Sequence, residues 1–218
     1  MNKAKAGLTA LSLLLLVGTF VHASTIVYNN GAPNQQNGNE MTEWIQTEDF
    51  TLASTQTITD IHFWDVDQNS YAGSISWWIT GDLGGDPDFG NVLASGSANA
   101  VHTATGICLF FGCEFTNDWN ISALTLGPGT YHLALHNGPV TLTDRVEFYW
   151  ETTDPNGTTT GLECDLTDGA CYNSWFNNGQ EHAFYLTGGT STPEPGTLAL
   201  LGTGVVGLAG MLRRKLGR

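Results

Sequence analysis

The chain has 218 residues, with 21 Asp and Glu against 7 Lys and Arg. Six of the seven bases lie at positions 3, 5, 213, 214, 215 and 218, so the stretch from Ser24 to Thr192 carries 20 acids, one arginine (Arg145) and a net charge of −19. A field of that sign repels phosphate backbones and excludes nucleic-acid binding. The length excludes a large multidomain enzyme, and 41% hydrophobic residues give enough apolar material for a packed core.

At the N-terminus Met1 to Gly7 holds Lys3 and Lys5 and no acid, Leu8 to Phe20 is apolar, and Val21-His22-Ala23 places small residues at a cleavage position. This is the three-part layout of a secretory signal peptide over residues 1–23, cut after Ala23. Its apolar run is too short to span a bilayer.

From Ser24 onward the apolar residues alternate at period two, with no helical periodicity longer than about two turns. Ile61/Phe63, Ile75/Trp77/Ile79, Tyr131/Leu133/Leu135, Val146/Phe148/Trp150 and Phe184/Leu186 each line one side of an expected strand. Turn clusters punctuate them: Asn29-Asn30-Gly31, Gly81 to Gly90, Gly127-Pro128-Gly129, Asn137-Gly138-Pro139, Asp154 to Gly157 and Asn177-Asn178-Gly179. About eight short strands so separated predict an all-β ectodomain over 24–187, a two-sheet β-sandwich of jelly-roll type, with a barrel as the alternative.

Several residues within this domain are candidates for chemistry. Asp65-x-Asp67-x-Asn69 and the loop holding Asp82, Asp86 and Asp88 are oxygen-rich and suit a structural Ca2+, which takes six to eight oxygens. The first loop departs from an EF-hand, with Ser70 at the turn-glycine position and Ser76 at the final Glu position. The plainer reading of both loops is solvated turn acids. Trp64 shares a strand side with Asp60 and His62, and Trp78 lies on the polar side of its strand; both are candidates for lining one carbohydrate-binding face by stacking on sugar rings, against the alternative that packing covers them.

Cys108 with Cys113 and Cys164 with Cys171 each bracket a short loop. Of the three possible connectivities the local one is expected, as structural disulfides in an oxidising compartment. His132 and His136 have helical metal-ligand spacing on an expected strand, where four residues extend about 13 Å, so one zinc cannot take both and they are expected at the surface. No G-x-S-x-G, H-E-x-x-H or P-loop is present. Twenty acids do allow a chance pair of the kind a glycosidase uses.

Residues 188–195 read as a tether ending in Pro193-Glu194-Pro195. Residues 196–212 are an uncharged segment long enough, at about 25 Å as a helix, to serve as a transmembrane helix. Residues 213–218, with Arg213, Arg214 and Lys215, are a basic tail that stays cytoplasmic. The pattern G-x-G-x-x-G at Gly202 to Gly207 lacks the downstream acid of a dinucleotide site.

The order of Pro193-Glu194-Pro195, a Gly/Leu/Ala-rich span and a terminal Arg-Arg-Lys cluster resembles the PEP-CTERM sorting signal of bacterial exported proteins. That resemblance covers the last 26 residues. It implies export machinery and signal peptidase as early partners, then recognition of Pro193 to Pro195 by an exosortase. It also implies an inner-membrane intermediate and delivery to the cell surface or extracellular matrix of a Gram-negative bacterium. The ectodomain is then expected to be noncatalytic, structural or binding extracellular polysaccharide, with a secreted polysaccharide hydrolase as the alternative.

Overall fold

The computed structural model describes residues 24–109, 111–156, 161–167, 171–172 and 174–188. The expected signal peptide, the tether beyond Gly188, the span and the basic tail lie outside the described residues. Within them there is no helix, and so none long and apolar enough to cross a membrane.

The described strands are, in chain order, β1 (Thr25–Asn29), β2 (Pro33–Glu40), β3 (Trp44–Leu52), β4 (Gln56–Asp67), β5 (Ile75–Leu83), β6 (Asp86–Ala98), β7 (Val101–Leu109), β8 (Gly112–Leu126), β9 (Gly129–Asn137), β10 (Phe148–Thr153), β11 (Leu162–Asp165), β12 (Phe176–Asn177), β13 (Glu181–His182) and β14 (Phe184–Gly188). They form two antiparallel sheets. The first runs β1-β14-β4-β10-β13, with β2 added on β10, β8 on β4 and β7 on β8. The second runs β12-β11-β3-β9-β5-β6.

Strand β4 organises the first sheet. One edge pairs with β8 from Gln56↔Leu126 to Asp67↔Cys113. The other edge is shared, β14 taking Asp60 to Phe63 and β10 taking Asp65 to Asp67. The pairing with β8 slips between Ile58 and Asp60, and across that slip the core-facing side of β4 changes from Ile58 to Ile61 and Phe63.

The two sheets close on one core. Phe50 of β3, Ile79 of β5 and Leu133 and Leu135 of β9 meet Ile61 and Phe63 of β4, Phe148 and Trp150 of β10 and Phe184 and Leu186 of β14, all essentially without exposure. The Trp150 ring takes Phe63 and Phe184 edge-on at centroid distances of 5.9 Å, and its indole N–H donates to the Ala183 carbonyl at 2.9 Å. Each of these apolar pairs sits at period two, so the alternation read from sequence places the right side of β5, β9, β10 and β14 inward.

More strands form than the eight expected. Strand β2, Pro-Asn-Gln-Gln-Asn-Gly-Asn-Glu, has no apolar alternation and is held by main-chain pairing to β10. A second apolar cluster covers the outer side of the second sheet, where Ile45, Ala134, Cys164 and Cys171 pack with Trp78, Phe89 and Trp175. The cysteines pair locally, Cys108 with Cys113 across the β7–β8 hairpin and Cys164 with Cys171.

Both ends of the domain leave from one corner. Thr25 pairs with Gly188, and its hydroxyl donates to the Gly188 carbonyl at 2.9 Å. Gly188 approaches β4 so closely that an added Cβ would stand 1.7 Å from the Thr57 carbonyl oxygen, a position only glycine fills.

Truncating a fully buried ring between the sheets leaves a cavity and costs about 3–5 kcal/mol. Phe184→Ala should lower unfolding free energy in urea by that amount, whereas Phe176→Ala, on edge strand β12 and 50% exposed, should change it by less than about 1 kcal/mol. Equal losses in the two variants would contradict this core.

Candidate functional site

The charge imbalance reappears inside the fold. Glu40, Glu48, Asp49, Asp65, Asp67, Glu114, Glu151 and Glu181 are all buried. Arg145, the one arginine or lysine among the described residues, lies over the Tyr149 ring. Buried carboxylates therefore find backbone amides, protons or histidines. Glu40 shows the first solution, accepting the main-chain N–H of Thr42 at 3.0 Å and of Glu43 at 2.9 Å. Four of the five described histidines show another, His62 meeting Asp118, His102 Asp65, His132 Asp82 and His182 Glu48.

At one end of the interior Glu48, on the core side of β3, accepts the His182 main-chain N–H at 2.8 Å and lies 2.9 Å from its ring Nδ1. Burial raises the Glu48 carboxyl well above the usual carboxylate range. The same burial lowers His182 to about 4. Burial, then the nearby Glu48 charge, pushes Glu181 up to about 7. On the outer side of the first sheet Glu151 of β10 faces Glu114 of β8, with Gln35 of β2 and Asp65 of β4 also acting on it. Burial, then the Glu114 charge, raises it to about 8.

The expected metal loops fare differently from each other. Asp65 and Asp67 follow Ile61 and Phe63 on the inward side of β4, and both are buried. His102 of β7 comes to them, its Nε2 3.1 and 3.2 Å from the Asp65 oxygens and 4.0 Å from Asp67 Oδ2. Asn69 contributes its main-chain N–H to Asp67 Oδ1 at 3.1 Å from a left-handed backbone at φ 65°. In the other loop Asp82 turns to His132 at 3.0 Å and to Gly85 N–H at 3.1 Å, and Asp88 accepts Gly90 N–H at 2.9 Å. Among the described residues Asp65, Asp67 and His102 are the one group of three acid, histidine or cysteine ligands gathered within 4.8 Å, and Asp82, Asp86 and Asp88 form no such group. Local spacing could not reveal His102, which lies 35 positions beyond Asp67 and arrives through sheet pairing.

Three placements correct the sequence reading. His132 and His136 are not at the surface but buried on the outer side of β9, beneath material covering the second sheet. His136 has Nδ1 3.0 Å from the Gly138 carbonyl and Nε2 2.7 Å from that of Thr42. Trp64 and Trp78 do not share a face, because each is the outward residue of a different sheet. Trp78 lies under Phe89, at 5.8 Å between rings.

Trp64 instead belongs to a half-exposed patch on the first sheet. Its ring is 5.5 Å from Tyr185, which stacks on His62 at 4.2 Å. Asp118 bonds Nδ1 of that imidazole, Thr187 Oγ1 lies 3.0 Å from its Nε2, and Thr187 donates to Asp60 at 3.1 Å. The patch runs into a cleft of about 580 Å³, lined by Asp60, His62 and Asp118 together with Trp77, Trp119, Asn99 and Asn120. An aromatic surface beside carboxylates and carboxamides can stack on a planar or ring ligand and hydrogen-bond its hydroxyls.

The raised carboxyls set a pH dependence. Glu151 and Glu181 keep a proton in the folded chain that the unfolded chain releases near 4.5. Their stabilisation is complete below that value and is lost as pH rises through 7 to 8. His182 acts oppositely, costing stability as pH falls from 6.5 towards 4. Melting temperature should therefore fall by about 5 °C between pH 6.5 and 8.5, and Glu151→Gln should remove most of the fall above pH 7. A melting temperature that is flat or rises over that interval contradicts the assignment.

No curated protein matches the chain. Residues 191–215 match the family model of the PEP-CTERM protein-sorting motif, starting just past the last strand at Gly188. The described residues thus form an all-β domain of two antiparallel sheets, and the chain carries a PEP-CTERM protein-sorting motif at its C-terminus.

Proposed function

We propose that this is an exported protein of the cell surface or extracellular matrix of a Gram-negative bacterium. Export machinery and signal peptidase release residues 1–23, and an exosortase then processes the chain at the sorting motif. The observation that carries this reading is the position of the motif match, residues 191–215, immediately after the folded domain. Residues 188–195 serve as the tether, 196–212 as a transmembrane helix and 213–218 as the cytoplasmic tail. Because Thr25 and Gly188 are paired, the leader and the sorting tail join the domain at one corner. The jelly-roll-like sandwich is held away from the membrane by that single attachment.

The domain itself acts without catalysis, as a matrix component that binds polysaccharide through Trp64, Tyr185, His62 and Asp118 and the adjoining cleft. The mixture of half-buried aromatic rings and hydrogen-bonding groups supports this reading. A secreted hydrolase is the second reading, favoured by the chain of contacts Asp118–His62–Thr187 at the cleft. Thr187 is 6% exposed and gives its hydroxyl proton to Asp60, which leaves no accessible nucleophile of the triad kind.

Replacing Pro193 and Pro195 together with alanine should leave uncut precursor in the inner-membrane fraction and deplete the surface and matrix fractions, as followed by immunoblot. Normal processing of that variant would defeat the exosortase assignment. On the producing strain's own extracellular polysaccharide, Trp64→Ala and Asp118→Ala should each weaken retention about tenfold, a loss typical of one well-placed contact. Trp78→Ala, folded but changed on the opposite sheet, should be retained normally. Equal retention of all three would leave a purely structural role.

A further inference from the structure

The Asp65–Asp67–His102 group has the geometry of a ligand set. Donor atoms about 2.1 Å from a common ion stand about 3.0 Å apart at right angles and about 3.4 Å apart at the tetrahedral angle, and about 4.2 Å apart across the ion. The separations of His102 Nε2 from Asp65 Oδ2, 3.1 Å, and from Asp67 Oδ2, 4.0 Å, fall in that range, and the three ligand atoms all lie within 4.8 Å of one another. A second observation points to the same place. The Asn117 side chain is fully buried and turned to the cluster, with Nδ2 donating to Asp65 Oδ2 at 3.0 Å. Oδ1 of that same carboxamide has no hydrogen-bond partner among the described residues. A buried carbonyl oxygen left unpaired is costly, and a cation beside it removes the cost.

The donors are held in place before any ion arrives. The imidazole lies between the rings of Tyr71, at 4.6 Å, and Phe115, at 4.1 Å. The Asp67 carboxylate is oriented by the main-chain N–H groups of Asn69 and Tyr71, both at 3.1 Å. Tyr71 is anchored in turn by Ala100 N–H at 3.0 Å. Such outer support is what a metal site needs to keep its ligands convergent. A cavity of about 430 Å³ is lined by Asp67, Asn69 and Phe115, beside the cluster. Among the described residues the two carboxylates have no lysine or arginine near them, so a divalent cation would balance the local charge.

We propose that Asp65, Asp67 and His102, with Asn117 Oδ1 as a further donor, bind one divalent first-row transition ion of the Zn2+ or Mn2+ type. The imidazole nitrogen selects against Ca2+, which takes six to eight oxygens. The ion ties β7 to β4 across β8 and fixes the hairpin closed by Cys108 and Cys113.

The test uses the full chain, without a polyhistidine tag, stripped with EDTA and then dialysed against Zn2+, Mn2+ or Ca2+ separately. One Zn2+ or Mn2+ should remain per chain and raise the melting temperature, and Ca2+ should bind at least tenfold more weakly. His102→Gln and Asp67→Asn, checked for folding by circular dichroism, should each weaken Zn2+ binding at least tenfold. Pulsed EPR of bound Mn2+ should show nitrogen coupling that disappears in His102→Gln. The proposal is overturned by the absence of any stoichiometric ion, by a preference for Ca2+, or by Zn2+ affinity unchanged in both variants.

Discussion

The alternation of side chains along β4 is the constraint on which the rest of this protein depends. Beyond the slip at Ile58–Asp60, odd positions face the core and even ones face out. Ile61 and Phe63 thereby join the interior, and Asp65 and Asp67 are carried inward on the same side. His62 and Trp64 are carried outward to Tyr185 and Asp118. A one-residue shift of register would exchange these sets, exposing Phe63 and burying His62. Pairing with β8 on one edge and with both β14 and β10 on the other makes that exchange expensive.

The second constraint is the shortage of cationic side chains. With one arginine among many acids, the interior compensates buried carboxylates in other ways. Main-chain amides serve Glu40 and Asp67, histidines serve Glu48 and Asp65, and proton retention serves Glu151. Each device has a consequence for behaviour, because a carboxyl that keeps its proton ties stability to pH, and a carboxylate pair with an imidazole is a receptor for a metal ion. The same surplus of acid suits an exported protein, because self-repulsion keeps it soluble.

Much of the architecture was legible before any coordinates. The period-two runs at Ile75 to Ile79, Leu133 to Leu135 and Phe148 to Trp150 report strands because a half-buried strand must alternate. β2 and the short strands β11 to β13 were not legible, since main-chain pairing to an existing edge requires no apolar pattern. Pairing of Cys108 with Cys113 and of Cys164 with Cys171 followed from short loops. Alternation also separates Trp77 from Trp78, but it does not tell that the polar side of β5 is itself covered, by Phe89 and Trp175.

The sequence by itself determined the acidic charge, pointed to the all-β class and the local cysteine pairs, and carried the sorting signal in its last 26 residues, because each is written in composition or in contiguous residues. Only the tertiary structure decided which acids are buried, that His102 joins the group at Asp65 and Asp67, and that Trp64 and Trp78 lie on different sheets. The physical reason is that period two states that neighbours point apart without stating which side is inside. That choice is made by pairings between strands far apart in the chain, Thr25 with Gly188 and Asp60 with Thr187 among them.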